Sequence, residues 1–465
     1  MKLNENIFKT YDIRGIVGKE LDFQTAELIG KSLGTLLLRQ NLKKCVVGRD
    51  NRLSSLDLSR NFINGLLSTG CDVSDVGLSI TPIIHFLTCT SNFDAGIIVT
   101  ASHNPKEYNG FRIDYANAVS FYGKEIQKIR DLIIASTFAS GVGKCKQENL
   151  APEYQEYIKR KFKIEKKLKV VVDCGNGTSS FFAPVALRNI GCEVVDIYCR
   201  SDGNYPHGIP DPENREFMRE VSRLVIENNA DVGFAFDTDN DRFGVVDNRG
   251  VVYENDKLLL LFAKEALKGN SNKEIIYDVK SSGILEQEIE KFGGRPRMIR
   301  TGHPFFIKEM VEGALLGGEY SGHMFFGKDY FGYDDGIYAA CRLLTILDKS
   351  KKSLSDLMSV FPKMCHTSEV KIPCLDSEKE MIMANVVKES KRFKNISYID
   401  GVRIKFSQTG WFLLRASNTS SYLSFRVEGR DQDEVSVLIS EAYALLSSYK
   451  TLNLDVIKNA PVYIS

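Results

Sequence analysis

The sequence lacks the motifs that mark several common classes of protein. None of its ten cysteines forms a C-x-x-C pair that would nucleate a zinc or redox site. No G-x-x-x-x-G-K-[ST] phosphate loop occurs, and "CGNGTSS" at 174–180 lacks the third glycine of a dinucleotide fingerprint. We therefore expect neither a nucleotide kinase nor a nicotinamide-dependent enzyme.

An excess of charge of one sign is also missing. The chain has 61 Lys and Arg against 60 Asp and Glu, which leaves a formal charge of +1. Such a balance gives no overall field to hold nucleic acid or an anionic membrane. Any anionic ligand has to be bound by a local cluster of side chains, so the expected partners are small molecules.

Long hydrophobic runs are absent as well. The longest strongly apolar run, at 258–263, is too short to span a membrane, and residues 1–20 have no apolar signal core. The cysteines are scattered and mostly lie in apolar surroundings, which is typical of reduced, buried thiols in a reducing compartment. We expect a cytoplasmic protein with no membrane partner.

The chain is long enough for several domains. At 465 residues it exceeds a single hydrophobic core, and its length predicts three or four domains. A run rich in Val and Ile, a polar or glycine-bearing loop and a helical pattern occur together three times. This alternation predicts parallel sheets covered by helices on both faces, with ligands at the carboxyl ends of the strands.

The C-terminal part of the chain has a different pattern. Short strands joined by tight turns are flanked there by two helical stretches, which predicts an α+β module with a mostly antiparallel sheet. These changes of pattern place the predicted domains at residues 1–150, 151–250, 251–366 and 367–465.

The stretch "IIVTASHNPKEYNG" at 97–110 joins an apolar run to a polar cluster. The pattern predicts a buried strand that presents Ser102 at its carboxyl end. Asn-Pro is a common turn dipeptide and serine is a common helix cap. Taken alone, the stretch fits a structural turn as well as it fits a catalytic serine.

A second polar loop, "DTDNDR", follows an apolar strand and carries Asp237, Asp239 and Asp241. Three carboxylates on alternate residues repel one another, and a hard divalent cation with oxygen ligands would relieve that repulsion. An EF-hand does not fit, because Arg242 and Asn248 occupy its glycine and glutamate positions. A solvated acidic turn remains the alternative.

The glycine-rich stretch "GGEYSGH" at 317–323 supplies Glu319, Ser321 and His323 at short intervals. A carboxylate beside a hydroxyl is a natural clamp for neighbouring sugar hydroxyls. Glycine-rich turns are common, so this stretch is weak support for a sugar site by itself.

Another polar stretch, "RASNT", lies between two predicted strands and contains Arg415, Ser417, Asn418 and Thr419. A fork-shaped guanidinium with several small donors suits a phosphate dianion. A plain hairpin turn is the alternative. Arg14, Lys280 and His303 are isolated groups, which are usually surface ion pairs or hydrogen-bonded histidines.

Together these stretches resemble the α-D-phosphohexomutase family, most closely its phosphomannomutase/phosphoglucomutase branch. The resemblance runs nearly from end to end of the chain. It rests on motifs in a fixed order: "YDIRG" (11–15), "TASHNP" (100–105), "YNGF" (108–111), "VDCGNG" (172–177), "DGNYPHGIPDP" (202–212), "DTDNDR" (237–242), "DVK" (278–280), "TGH" (301–303), "GEYSGH" (318–323) and "RASNT" (415–419).

The resemblance implies three similar α/β domains with mixed sheets and a smaller C-terminal α+β domain, around a central cleft. It implies a mutase that interconverts hexose 1-phosphate and hexose 6-phosphate of mannose, glucose or both. The reaction would pass through a phosphoserine enzyme and a hexose 1,6-bisphosphate, which also serves as activator. Mg²⁺ is the implied metal, and the implied oligomeric state is a monomer or a small homo-oligomer.

The same resemblance assigns roles to individual residues. Ser102 would carry the phosphoryl group and bind Mg²⁺ together with Asp237, Asp239 and Asp241. The other groups placed in catalysis are His103, Arg112, Arg14, Arg242, Lys280 and His303. The groups placed in substrate binding are Tyr11, Glu319, Ser321, His323, Arg415, Ser417, Asn418 and Thr419.

Two departures from the family pattern occur. Tyr320 in the sugar loop and the spacers Thr238 and Asn240 of the aspartate loop form one of them, and these spacers are not expected to be metal ligands. The other departure bears on catalysis. Members commonly have lysine after "NGF", where this chain has Arg112. A guanidinium stabilises phosphate but cannot act as a general base near neutral pH. If the family's lysine moves the hydroxyl proton, His303 becomes the alternative candidate for that role.

Three other functions remain open at this stage. A phosphoglucosamine mutase would use a similar sugar loop, and a metal-dependent phosphatase could also use a serine with three aspartates. A catalytically silent sugar-phosphate sensor would keep "RASNT" and "GEYSGH" but would not need Ser102 or the aspartates. The joint presence of these groups argues against a sensor.

Overall fold

The computed structural model describes residues 3–417 and 421–464. The chain divides into two compact units, which we describe separately. The first unit comprises Met1–Tyr253, Phe306–Gly313 and Ser321–Leu357, and the second comprises Glu254–Phe305, Ala314–Tyr320 and Met358–Ser465.

The first unit begins with a mixed six-stranded sheet in the order β1-β5-β4-β2-β3-β6. Its strands are β1 (Ile13–Ile16), β2 (Lys44–Arg49), β3 (Asp72–Leu78), β4 (Ala95–Val99), β5 (Tyr108–Tyr115) and β6 (Cys145–Gln147). The β2 strand pairs in parallel with β3 and β4, whereas β5 is antiparallel to both β1 and β4. The expectation of mixed sheets is therefore confirmed, and the expectation of purely parallel pairing is wrong for β5.

Helices cover this sheet: α1 (Phe23–Leu38), α2 (Ser55–Thr69), α3 (Thr81–Thr90) and α4 (Lys124–Ala135). The α1 helix begins after Asp22, whose carboxylate accepts from the Thr25 N–H at 2.7 Å. Two glycines let α1 and α2 pack closely. A Cβ on Gly30 would lie 2.2 Å from Phe62 O, and one on Gly65 would lie 2.1 Å from Glu27 O.

A second sheet of the first unit has the strand order β11-β10-β9-β7-β8. Its elements are α5 (Ala151–Lys161), β7 (Lys169–Asp173), α6 (Ala183–Asn189), β8 (Glu193–Ile197), α7 (Arg215–Glu227), β9 (Val232–Phe236), β10 (Phe243–Asp247) and β11 (Val252–Tyr253). The β7 strand is parallel to β8 and β9, whereas β9 and β10 form an antiparallel hairpin. The aspartate loop is the turn of that hairpin.

The second unit contains a smaller α/β segment. Its elements are α8 (Asn255–Ala266), β12 (Glu274–Asp278), α9 (Ile284–Lys291), β13 (Arg295–Ile299), α10 (His303–Val311, which continues into the first unit) and β14 (Leu316–Gly318). The β12 strand pairs in parallel with both β13 and β14. The chain then contributes to the first unit β15 (Met324–Phe326) and α11 (Gly336–Lys349), followed by α12 (Leu354–Met358) at the change of unit.

The rest of the second unit is an antiparallel sheet flanked by helices. Its elements are β16 (Cys365–Thr367), β17 (Val370–Pro373), α13 (Asp376–Ser390), β18 (Ile396–Ser397), β19 (Val402–Lys405), β20 (Trp411–Ala416), β21 (Tyr422–Gly429), α14 (Gln432–Leu446), α15 (Asp455–Lys458) and β22 (Val462–Ile464). Strand pairs β18/β19, β19/β20, β20/β21, β16/β21, β16/β22 and β17/β21 are all antiparallel. The α+β prediction for this part is confirmed.

None of the ten cysteines is in a disulfide, and most of them are buried. Cys145 is an exception, because it is exposed on β6 at the edge of the first sheet. Within residues 3–417 and 421–464, no helix has both the length and the apolar character needed to cross a membrane. The domain boundaries near 150, 250 and 366 stay predictions.

Candidate active site

Ser102 lies just beyond the carboxyl end of β4. Its φ of 46° places a non-glycine residue in the left-handed region, a strained conformation that is enriched at functional sites. The Ser102 N–H donates to Thr100 Oγ1 at 2.9 Å. The turn after β4 therefore fixes the direction in which the serine side chain points.

The Ser102 side chain meets the aspartate loop. Its hydroxyl donates to Asp237 Oδ2 at 2.9 Å and lies 3.0 Å from His103 Nδ1. Ser102 and Asp237 follow strands of the two different sheets of the first unit, β4 and β9. The fold thus brings together two polar loops that are more than a hundred residues apart in the sequence.

The aspartate loop is a compact group of buried carboxylates and is not solvated. Asp237, Asp239 and Asp241 are at most 5% exposed, and one oxygen from each lies within 4.8 Å of the others. The Asp239 carboxylate accepts from Thr81 Oγ1 at 2.6 Å. The alternative interpretation as a solvated acidic turn is therefore wrong.

Burial and mutual repulsion raise the pKa of two carboxyls in this loop. Burial is the larger cause at both, and the negative charge of Asp241 is the second. The pKa of Asp237 lies well above its usual value, and that of Asp239 is raised to about 7. The Oδ1 atoms of Asp239 and Asp241 are buried and accept no hydrogen bond. Carboxylate oxygens in this state fit a hard divalent cation such as Mg²⁺.

Two arginines offset part of this negative charge. Arg112 donates from Nη1 to Asp241 Oδ2 at 2.8 Å and from Nη2 to Asp334 Oδ1 at 3.0 Å. Arg242 donates from its backbone N–H to Asp237 Oδ1 at 3.3 Å, and its Nη1 lies 3.3 Å from Glu213 Oε1. Burial opposes their ionisation, but the neighbouring carboxylates raise the pKa of both guanidinium groups. Both side chains are fixed cations.

His323, predicted to bind substrate, contacts groups of this same cluster. Its Nδ1 lies 2.8 Å from Asp334 Oδ2, and its Nε2 accepts from Arg242 Nε at 3.0 Å. Burial opposes protonation, but Asp241 and Asp334 raise the pKa of His323 overall. Ser321, two residues before His323 in the sequence, is also buried, with 5% of its surface exposed.

Tyr11 lies just before β1 of the first sheet, and Arg14 lies within that strand. Arg14 donates from Nη1 to Asn104 Oδ1 at 2.7 Å, in the loop that carries Ser102. Its Nη2 also pairs with Asp12 Oδ2 at 2.6 Å. Tyr11 is 9% exposed. Arg14 is thus held beside the serine loop.

In the second unit, Asp278 at the end of β12 joins three polar loops. It accepts from Ser281 Oγ at 2.7 Å, from Thr301 Oγ1 at 3.1 Å and from the Tyr320 N–H at 3.2 Å. Glu319 accepts from the Gly302 N–H at 2.7 Å, directly before His303. The motifs "DVK", "TGH" and "GEY" are therefore brought together, as the ends of neighbouring parallel strands.

Lys280 and Arg415, two predicted site residues of the second unit, are paired with carboxylates. Lys280 Nζ lies 3.2 Å from Glu369 Oε2. Burial opposes the ionisation of Glu369, but Lys280, a hydrogen bond from Ser424 and further cations together lower its pKa. Arg415 donates from Nε to Asp400 Oδ2 at 3.0 Å. Ser417 is 6% exposed. The predicted phosphate ligands Asn418 and Thr419 lie outside the described residues.

Two acidic residues of these sites belong to none of the motifs found in the sequence. Asp334 contacts Arg112 and His323, and Asp400 contacts Arg415. The partner Arg112 lies 222 residues from Asp334, so only the fold reveals their pairing. The stretch "GRDNR" at 48–52 is more regular and could have been singled out as a polar loop directly after a buried strand.

The four segments match four domain profiles of one family. These are described as "Phosphoglucomutase/phosphomannomutase, alpha/beta/alpha domain I" over residues 5–140, domain II over 152–250, domain III over 254–364, and the C-terminal domain over 369–444. They occur in the chain in the order of their numbering.

Curated relatives match over nearly the whole chain. A phosphomannomutase/phosphoglucomutase of Pseudomonas aeruginosa is 41% identical over 93% of this chain and 94% of its own. A phosphoglucomutase of Neisseria gonorrhoeae is 33% identical over 96% of this chain and 98% of its own.

A solved structure supports the same relationship. The crystal structure of a phosphoglucomutase/phosphomannomutase family protein from Burkholderia thailandensis has a TM-score of 0.90 to this structure. It is 34% identical and covers 99% of this chain and 100% of its own. The chain is therefore an enzyme of the α-D-phosphohexomutase family, in its phosphoglucomutase/phosphomannomutase branch.

Proposed function

We propose that this enzyme interconverts the 1-phosphate and the 6-phosphate of mannose, glucose or both. One observation carries the proposal: the Ser102 hydroxyl donates to Asp237 at 2.9 Å, at the edge of a buried cluster of three aspartates. This pairing supports a serine that carries a phosphoryl group beside a divalent cation. The family membership supports the same reaction.

In the proposed reaction, phosphoserine 102 meets the free hydroxyl of a hexose monophosphate. The bond between phosphorus and Ser102 Oγ breaks, and a bond between phosphorus and the sugar oxygen forms. The hydroxyl proton passes to a base, and a hexose 1,6-bisphosphate results. The bisphosphate then reorients and returns its other phosphoryl group to Ser102. A bisphosphate supplied from outside would phosphorylate a free Ser102 and so act as activator.

The residues around Ser102 would act mainly by positioning and charge compensation, as phosphoryl transfer requires. Asp237, Asp239 and Asp241 would hold Mg²⁺, which when bound draws negative charge from the transferring phosphoryl oxygens. Arg242 and Arg14 are further cations of the first unit that would face the phosphoryl group.

We propose His303 as the group that accepts the hydroxyl proton. Arg112 is held as a cation by Asp241 and Asp334, so it does not take up a proton near neutral pH. An unperturbed imidazole, unlike a guanidinium, can take up and release a proton near neutral pH. His303 begins α10, directly after the Gly302 N–H that is bound by Glu319.

The second unit would bind the sugar and the phosphate that is not reacting. Glu319 would accept hydrogen bonds from sugar hydroxyls. Arg415 and Ser417 would bind the distal phosphate, and Lys280 would add positive charge. Mannose and glucose differ only at carbon 2. A clamp on hydroxyls 3 and 4 would therefore accept both sugars.

The function is tested by coupled assays on the 1-phosphates of mannose, glucose and glucosamine, with Mg²⁺ and the matching bisphosphate. We expect turnover of mannose or glucose 1-phosphate and little release of inorganic phosphate. Turnover of glucosamine 1-phosphate alone would favour a phosphoglucosamine mutase. Release of phosphate as the main product would favour a phosphatase.

The phosphoserine is tested by intact mass after incubation with hexose 1,6-bisphosphate. The wild type is expected to gain one phosphoryl group and Ser102→Ala to gain none. Ser436→Ala, at an exposed serine of α14, is the control and should be modified like the wild type. A wild type that never carries the group would contradict the role given to Ser102.

A further inference from the structure

Arg52, in the loop after β2, is bound to the backbone that carries Ser102. Its side chain is fully buried. Its Nη2 donates to Ser102 O and to Asn104 O, both at 2.7 Å. Its Nη1 donates to Pro105 O at 2.8 Å and to Tyr108 O at 3.2 Å. One guanidinium thus satisfies four carbonyl groups between residues 102 and 108.

Asp50 fixes this guanidinium and the start of the same loop. It accepts from Arg52 Nε at 3.1 Å and from the Arg52 N–H at 3.0 Å. It also accepts from Thr100 Oγ1 at 2.8 Å, and Thr100 Oγ1 in turn accepts from the Ser102 N–H. The Ser102 backbone is therefore held at its carbonyl by Arg52 and at its N–H through Thr100 and Asp50.

Asn51, between these two residues, is bound to loops of the second sheet. Its N–H donates to Thr178 Oγ1 at 2.8 Å, and its Nδ2 donates to Asn176 O at 2.7 Å. The Thr178 N–H donates to Thr238 O at 3.0 Å, inside the aspartate loop. Three consecutive residues therefore connect the Ser102 loop to the backbone that carries the three aspartates.

We propose that Arg52 is a positioning residue for phosphoryl transfer, which holds Ser102 in line with the aspartate cluster through the backbone of the 102–108 loop. Asp50 fixes the Arg52 side chain, and Asn51 connects the same loop to the second sheet. The proposal rests on the function proposed above. Arginine suits this role because its five N–H donors have a fixed geometry and it has no acceptor, so it can serve several convergent carbonyl groups. Lysine donates from a single atom.

The left-handed backbone conformation of Ser102 explains why the 102–108 loop must be held in place by Arg52. A non-glycine residue keeps a φ of 46° only where the surrounding structure imposes it. Without Arg52, four carbonyl groups would lose a donor and the loop would relax toward another conformation. A displacement of the attacking oxygen by about 1 Å costs about 100-fold in rate.

If Arg52 had only a structural role, replacing it would lower the stability of the protein without a specific loss of phosphoryl transfer. The two roles are separated by Arg52→Lys, which keeps the charge opposite Asp50, and by the neutral pair Asp50→Asn with Arg52→Gln. The pair avoids leaving a buried carboxylate without its cation. Leu66→Ala, a buried residue on α2 in the same unit, is the control for a general loss of stability.

The first measurement is steady-state kinetics together with the single-turnover rate at which hexose 1,6-bisphosphate phosphorylates Ser102. For the neutral pair we expect kcat and the phosphorylation rate to fall about 100-fold, with KM changed less than about threefold because Arg52 does not touch substrate. For Arg52→Lys, both kcat and the phosphorylation rate should lie between the values of this variant and those of the wild type. An unchanged kcat, or a fall no larger than in Leu66→Ala, would overturn the proposal.

The second measurement does not depend on activity. Hydrogen exchange of the backbone amides from 101 to 109 should be faster in both Arg52 variants than in the wild type, and unchanged in Leu66→Ala at temperatures where all are folded. Equal rates of amide exchange in all four proteins would contradict the proposal that Arg52 holds the 102–108 loop in place. A wild type that turns over no hexose phosphate, but shows this pattern of exchange, would contradict the proposed function and leave this role of Arg52 supported.

Discussion

Arg112 occupies the position after "NGF" where the resemblance to the family led us to expect lysine. Its guanidinium bridges Asp241 and Asp334 in a buried setting, at 2.8 and 3.0 Å. Losing one partner of a buried ion pair leaves an uncompensated charge in the interior. The arginine is therefore as much a part of the stability of the acidic cluster as of its chemistry.

We predict that Arg112→Met lowers the free energy of unfolding by about 3 to 5 kcal/mol in the absence of divalent cations. Arg112→Lys should recover more than half of this loss, because an ammonium still faces both carboxylates. The measurement is chemical denaturation followed by circular dichroism. Arg188→Met is the matched control, since Arg188 is half exposed and pairs with the partly exposed Asp196. It should cost less than about 1 kcal/mol. Equal losses in the two Met variants would contradict the prediction.

The identity of the group that accepts the hydroxyl proton can also be tested with a single substitution. With Arg112 held as a cation, we predict that His303→Asn lowers kcat about 100-fold or more. It should also abolish the rise of kcat/KM with pH through the range where imidazoles titrate, about pH 6 to 7. The measurement is a pH profile of both proteins.

His207→Asn is the control for that profile, because His207 is an exposed histidine that pairs with Asn176. It should keep the wild-type dependence on pH. A pH profile of His303→Asn that keeps the rise would contradict the assignment of the base.

The identities of the motif residues could be predicted from the sequence, but their supporting partners could not. Ser102 and the three aspartates stand out because each follows a buried apolar strand. Asp334 and Asp400 carry no such signal, since each becomes informative only when it meets its arginine in the folded protein. Long-range pairing of this kind depends on the tertiary fold.

At the scale of elements, the periodicity of the sequence predicted helices and strands but not strand direction. The two helical stretches predicted beside the short C-terminal strands correspond to α13 (Asp376–Ser390) and α14 (Gln432–Leu446). The β5 strand is antiparallel to both of its neighbours, and in its second half apolar residues alternate with the polar Arg112 and Asp114. It is nevertheless buried on both faces, because Arg112 and Asp114 are paired with oppositely charged or polar groups from other segments.

The end of β7 shows how an element can impose a pH dependence on stability. Asp173 is completely buried, and its Oδ1 accepts from the Gly175 N–H at 2.7 Å, in the loop directly after β7. Its Oδ2 accepts no hydrogen bond. Burial raises the pKa of this carboxyl to about 7. The folded protein therefore keeps a proton here that the unfolded chain loses above about pH 4.

We predict that Asp173 makes the free energy of unfolding decrease as pH rises from about 4 to 7, by up to about 1.4 kcal/mol per pH unit. The sign follows because the folded state binds more protons than the unfolded state in this window. Asp173→Asn removes the titrating group and should remove this contribution to the slope. Urea denaturation at several pH values measures it. Asp196→Asn, on the neighbouring strand β8 and partly exposed, is the control and should keep the wild-type slope.

At the scale of the whole molecule, the second compact unit crosses a predicted domain boundary. It contains the α/β segment from Glu254 to Phe305 together with the antiparallel sheet after 366. Buried ion pairs join these two parts: Lys257 Nζ lies 3.6 Å from Glu428 Oε2, and Arg426 Nη1 lies 3.3 Å from Asp256 Oδ2. A change of pattern along the sequence predicts a boundary, but it does not tell how tightly the parts on either side are packed.

Glu428 is the centre of this packing. Its Oε1 accepts from Ser282 Oγ at 2.8 Å and from the indole N–H of Trp411 at 3.0 Å. Burial opposes its ionisation, but Lys257 and Arg426 lower the pKa of Glu428 to about 2. A carboxylate with a lowered pKa stabilises the folded state above about pH 4, and that contribution is lost as pH falls toward 2.

We predict that Glu428→Gln and Lys257→Met each destabilise the second unit, and that the double variant loses less than the sum of the two. The coupling between Glu428 and Lys257 should be about 1 to 3 kcal/mol, because the two charges are completely buried and close together. Trp411 is the only tryptophan of the chain and is 1% exposed, so its fluorescence reports unfolding of this unit. The exposed pair Lys405 and Glu286, also between the two parts, is the control cycle and should couple by less than about 1 kcal/mol. A buried pair that couples no more strongly than this exposed pair would mean that its charges are not what joins the two parts.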